Sequence, residues 1–269
     1  MSDQSFVRAM GAIFRRECSQ WFRSPLAWSV LAIFAVLGGF YLTIDLSLYM
    51  GILTLELKFL ASLFFIIIPL ITMRSFAEER QLGTDKLLFT APISTMSIVV
   101  GKYAAAAVLF LCMMLTTIPH LIIILSLGGR VDKITAFTYL NVILIGLVYL
   151  GIGLFISSLT NRQTIAALTT MVVLLILNVL NSTANVVGAF FAKVIGWLDV
   201  ANLIDLSRQT ALGDNIAAGI KWLNPQSRLE LLSQGVFDLT MILYFVILII
   251  CLLYLTVQRL ESRKWETGR

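Results

Sequence analysis

Apolar residues along this chain fall in long uninterrupted blocks, separated by short stretches that carry nearly all of the charge. Blocks at 26–44, 49–73, 95–127, 135–159, 163–190 and 236–258 each approach or exceed membrane-crossing length. An α-helix rises about 1.5 Å per residue, so about 20 apolar residues cross a hydrocarbon core of about 30 Å. The pattern predicts an all-α polytopic membrane protein with six transmembrane helices. The second block is the least regular. Glu56 and Lys58 near its start leave only "FLASLFFIIIPLITM" uncharged. Either both side chains snorkel to the nearer interface or the crossing is thin there.

Two segments outside the blocks have helical periodicity of another kind. In "QSFVRAMGAIFRRECSQWFR", residues 4–23, apolar positions recur every three to four residues, with Arg8, Arg15, Arg16 and Glu17 between them and Trp21 near the end. This predicts an amphipathic helix lying in the membrane interface, or a helix packed on a soluble partner, with Pro25 resetting the backbone before the first span. Residues 191–235 also mix charged and apolar positions at helix-like spacing, which predicts short outer helices between spans 5 and 6. Internal repeats and a separate soluble domain are not seen, so 1–269 reads as a single transmembrane domain.

Composition agrees: charged residues are 13% of the chain, against about 25% in soluble domains. The net charge of +5 is better explained by basic membrane-flanking loops than by a nucleic acid or other acidic partner. Basic residues cluster before span 1, between spans 2 and 3, and after span 6. With an even number of spans all three clusters share one side, and the positive-inside rule makes that side, with both termini, cytoplasmic. The run from Leu26 is long and lacks a small-residue cleavage site, so it is expected to remain as a span. Cys18, Cys112 and Cys251 form no disulfide or metal pattern.

Several chemistries are missing. A single histidine, His120, gives no two-histidine metal site, so no metal is expected. No GxxxxGK[ST] loop occurs, so the chain is not expected to hydrolyse ATP or to bind a cofactor of its own. No carboxylate falls at mid-depth in a span, and the bundle interior reads as almost charge-free, unlike a proton- or sodium-coupled pump. Asn178, Asn181 and Asn185 share one face of span 5, either lining a substrate path or bonding helices or subunits together. Pro119-His120 reads as a proline kink with a nearby polar side chain, and Gly151 and Gly153 as close helix packing.

The charged island at 74–94, "RSFAEERQLGTDKLLFTAPIS", stands out between two spans. "SFAEERQ" favours helix and is expected to extend span 2 beyond the bilayer. Gly83 then supplies a left-handed stop, Thr84 a cap for a second short helix, Asp85 its acidic first turn and Pro92 its end. Leu87, Leu88 and Phe89 form an apolar tip on an otherwise charged knob, as a docking helix requires.

These residues resemble the ABC-2 type permease family, in Ala77-Glu78-Glu79-Arg80, Gly83-Thr84, Leu87-Leu88 and Pro92. "FRRECSQWFRSPLAW" is similar to the family's pre-span helix. "SQGVFDLTMILYF" resembles the lead into its last span, in the branch of gliding-motility and nitrous-oxide-reductase maturation permeases. The resemblance implies a non-catalytic subunit in the cytoplasmic membrane of a prokaryote. It implies pairing with a second copy as a homodimer, or with a homologous permease, and an ABC ATP-binding subunit that holds the ATP and magnesium. A periplasmic or extracellular accessory protein and membrane lipids are further partners. The 2–3 loop becomes the coupling helix, with Leu87, Leu88 and Phe89 as its plug. Glu78, Glu79 and Arg80 are then expected to pair with the ATPase or with the interfacial helix near Arg15 and Arg16. A substrate exporter and a transmitter of force fit equally. An ATP-independent channel, scramblase or ion-coupled carrier is the main alternative, ahead of a membrane-embedded enzyme.

Overall fold

The computed structural model describes residues 3–48, 52–84, 93–128, 133–198, 206–223 and 239–267. They form eleven α-helices and no strand: α1 (Asp3–Arg23), α2 (Pro25–Leu48), α3 (Leu53–Ser62), α4 (Phe64–Thr72), α5 (Ala77–Gln81), α6 (Thr95–Leu115), α7 (Ile118–Ser126), α8 (Lys133–Leu159), α9 (Gln163–Leu198), α10 (Leu206–Leu223) and α11 (Leu239–Thr267). Five stretches are long and apolar enough to cross a membrane, and the bent pair α3–α4 makes a sixth. An all-α polytopic membrane protein is therefore what the chain builds.

Two of the spans are broken. The second bends by 54° between α3 and α4. At the break the Ser62 hydroxyl donates to the Phe59 carbonyl at 2.6 Å, in competition with the helical ladder. The third span, Thr95–Ser126, is interrupted between α6 and α7. There Thr116 and Thr117 donate their hydroxyls back to Met113 and Met114, each at 2.7 Å, and Pro119 lacks a ladder donor. The interruption falls just before Pro119, where the sequence predicts a proline kink.

Helix α8 is the axis of the bundle, 67% of its spanning window being buried against 17–39% in the other four long spans. It packs on α3, α4, α6, α9 and α11. The largest core side chains, Tyr149, Phe34, Phe64 and Phe110, fill the space around it, with Phe64 and Phe110 edge to face. At its far turn Gly153 lets α4 come close: a methyl there would lie 2.3 Å from Thr72 Oγ1 and 2.7 Å from Thr72 Cβ. Because Thr72 Cβ is fixed to the α4 backbone, no side-chain rotation relieves the clash. Gly153→Ala is expected to lower stability by about 1–3 kcal/mol, read from unfolding in nanodiscs. An unchanged midpoint would show that α4 and α8 do not meet here.

Helix α9 continues well past the expected end of span 5. Its 36 residues measure about 54 Å, more than a hydrocarbon core requires. Helix α10 runs back along this extension in antiparallel sense. The two backbones touch at Gly188 and Gly213, where a methyl on either would sit 2.5 Å from the other's carbonyl oxygen. Of the asparagine stripe, Asn178 is half-buried on α9. The side chains of Asn181 and Asn185 lie outside the described residues.

Three expectations need correction. "SFAEERQ" does not prolong the second span, since the chain turns after Thr72 and restarts as α5. Glu56 does not snorkel: it is fully buried, while Lys58 is exposed. Nor is the interior charge-free, because Asp45 and Glu56 are fully buried and Lys102 is 2% exposed.

Candidate functional site

The charged island begins in a tightly built corner at one end of the bundle. After α4, the backbone N–H groups of Phe76 and Ala77 both donate to the Ser157 hydroxyl of α8, each at 3.1 Å. Ser157 thereby satisfies two donors that the start of α5 would otherwise leave unpaired. Helix α5 ends as Gly83 predicts. Gly83 has a φ of +71°, and the Thr84 N–H donates to the Glu79 carbonyl at 2.9 Å, closing the last turn. The Thr84 hydroxyl also turns back, donating to the same carbonyl at 3.2 Å. Asp85, Lys86, Leu87, Leu88, Phe89 and Pro92, with the second helix and apolar plug expected there, lie outside the described residues.

Each charged residue of α5 has a separate anchorage. Glu79 accepts from Arg16 of α1 at 2.8 Å and pairs with Lys102 of α6 at 2.9 Å. Glu17 takes the same two cations, Arg16 at 2.7 Å and Lys102 at 3.0 Å. Arg80 donates to the Thr160 carbonyl at 2.8 Å, and the Gln81 amide oxygen accepts from the Gln163 N–H at 3.2 Å. Thr160 and Gln163 flank the connection between spans 4 and 5. Glu78 lies 3.8 Å from Arg74, which donates to Ser24 at 2.9 Å. On the other side of the connection, Arg263 of α11 donates to Asn161 at 3.1 Å. Thus α1, α5, the 4–5 connection and the last turns of α11 meet at one end.

The four-residue cluster is balanced, two cations against two carboxylates. Its burial is graded: the Lys102 side chain is 2% exposed, Glu17 9%, Glu79 19% and Arg16 44%. Burial alone would lower the Arg16 pKa, but Glu17 and Glu79 more than reverse it, so the guanidinium stays charged. Lys102 also sits 5.3 Å above the Phe76 ring. The face of α1 that meets α6 consists of Ile13, Glu17 and Trp21, all buried, at four-residue spacing. A cleft of about 680 Å³ opens between α1 and residues 74–84, lined by Trp21, Ser24, Arg74, Glu79, Thr84 and Lys102.

Of the two pairings expected for Glu78, Glu79 and Arg80, with the ATPase or with α1 near Arg15 and Arg16, the structure shows the second for Glu79. Arg15 is exposed and Arg80 turns to the 4–5 connection instead. The charge pattern along the chain does not single out Lys102. Its position inside an apolar helix, with no charged neighbour within a turn or two, was the available signal.

No curated protein matches the chain. A family model described as "ABC-2 family transporter protein" matches residues 11–265, from within α1 to the last turn of α11. A match over nearly the whole chain, on a multi-pass helical bundle, makes this protein a member of the ABC-2 transporter family and a membrane permease component of an ABC transporter.

Proposed function

We propose that the loop between spans 2 and 3 seats on the ATP-binding subunit, and that motion of that subunit enters the bundle through α5. What supports this is the anchorage of α5. Five residues carry contacts to α1 and α6 through Glu79, to α8 through Ala77, and to the 4–5 connection through Arg80 and Gln81. A loop held by one exposed ion pair would yield under load, since such a pair contributes about 0–1 kcal/mol. A segment bonded to four parts of the bundle moves them with it. In this reading the end holding α1 and α5 faces the cytoplasm, the permease carries no catalytic group, and ATP and magnesium belong to the partner.

The test is cross-linking in the assembled transporter. Cys18, Cys112 and Cys251, all free thiols, are first replaced by serine or alanine. A cysteine at Thr84 is then expected to cross-link to the ATP-binding subunit with a short bifunctional reagent. A cysteine at Gly128, in the turn after α7, is expected to give none. Cross-linking at Gly128 but not at Thr84 would place the motor at the other end.

A further inference from the structure

Far from the coupling corner the bundle buries a second set of ionisable groups that the transporter reading leaves unused. Asp45 lies twenty residues beyond Pro25 on α2, about 30 Å along the helix from its α1 end. At the same end of the bundle Glu56 of α3 meets His120 of α7. Asp45 and Glu56 are fully buried and His120 is 9% exposed. His120 Nδ1 and Glu56 Oε1 are 2.5 Å apart. Asp45 Oδ2 accepts from the Ile52 N–H at 2.5 Å, at the start of the helix that carries Glu56. The other oxygen of each acid, Asp45 Oδ1 and Glu56 Oε2, has no hydrogen-bond partner among the described residues.

Charge counting shows what this arrangement lacks. With a neutral imidazole and an ionised carboxyl, the Glu56–His120 pair holds one negative charge, shut away from solvent. An uncompensated buried charge costs several kcal/mol, so such groups take up a counter-charge. Among the described residues the neighbouring elements do not supply one. On α3 Lys58 is exposed, and on α8 Lys133 is exposed and Tyr139 is bonded to Thr117. On α2 the nearby titratable group is Tyr41, whose ring stacks on Phe59. Space is also short, since a methyl on Gly38 of α2 would lie 3.0 Å from His120 Cε1 and 3.3 Å from Glu56 Oε1. The described residues hold no group of three or more His, Cys, Asp and Glu placed to ligate a metal ion. The missing positive charge has to be small.

We propose that Glu56 and His120 form a proton-binding site, with one proton held across their contact. The proton comes from solvent and returns to it, and no other bond changes. The site ties spans 1, 2 and 3 together at the end remote from α5, since both side chains also lie against Gly38 of α2. With its proton in place the contacts among α2, α3 and α7 close. Without it an uncompensated carboxylate is left between these helices and loosens them. Proton occupancy thereby sets how these spans meet, independently of where the ATP-binding subunit docks.

The single histidine of the chain makes the site directly readable. Full-length permease without a histidine tag, labelled with ¹⁵N-histidine and held in nanodiscs, gives the two ring-nitrogen signals of a single imidazole. Its titration midpoint is expected to move by at least one pH unit on Glu56→Gln, and a smaller move overturns the proposal. Should Glu56→Gln fail to insert, the wild-type protein decides, labelled also at its carboxyl carbons. An imidazole and a carboxyl that titrate at a common midpoint support the site. An imidazole that titrates with no carboxyl change beside it overturns it.

Discussion

Leu87→Asp combined with Leu88→Asp is expected to leave the permease folded and membrane-inserted, and to abolish its co-purification with the ATP-binding subunit. The two leucines come three and four residues after Thr84, preceded by Asp85 and Lys86 and followed by Phe89. In the proposed complex they are buried by the partner and not by their own chain. Full burial of a leucine contributes about 1.5–3 kcal/mol, so losing two weakens docking by about a hundredfold or more. Placing carboxylates in the same apolar cleft adds a desolvation cost in the same direction. Thermal unfolding of the isolated permease separates the outcomes. An unchanged midpoint with lost binding supports docking through this plug, and binding at wild-type stoichiometry rules it out.

Lys102→Met should have the largest effect on the permease itself. The substitution preserves the length of the side chain but removes the most buried cation of the corner, leaving Glu17 and Glu79 facing each other. Arg16, at 44% exposure, is the only cation left to them within the cluster, and solvent screens it. Removing one partner of a buried ion pair costs about 3–5 kcal/mol, because the charge left behind is uncompensated. The same background with Glu79→Gln is expected to recover part of the loss, since it removes the repulsion. A double-mutant cycle over the four proteins in nanodiscs measures the coupling. Additive effects would mean that Lys102 contributes packing alone.

Much of this was readable from residue order. Block length alone gives the spans, because the thickness of a hydrocarbon layer admits few alternatives. Gly83 was legible for the same sort of reason: a glycine after "AEERQL" ends a helix in the left-handed conformation, as its positive φ shows. What escaped were pairings between distant positions. Glu56 reads as a snorkelling residue beside Lys58 because nothing nearby neutralises it, and its partner His120 lies 64 residues away. Lys102 likewise finds Glu17 85 residues upstream, across a helix contact that periodicity does not report. The turn after Thr72 depends on a serine hydroxyl of α8, which no local propensity for helix in "SFAEERQ" anticipates.

The break in the second span has a mechanical consequence. A continuous helix transmits rotation along its full length, so any tilt of the coupling corner would be felt at Glu56. Divided at Leu63, this span becomes a short inner lever and a separate outer strut. The inner lever, α4, has nine residues and is about 13 Å long, so pivoting it by about 10° carries Thr72 roughly 2 Å. The strut α3, gripped by α2, α7 and α8, keeps its place. In the proposed reading the two ends of the permease work separately, one answering to force on α5 and the other to the proton on α3.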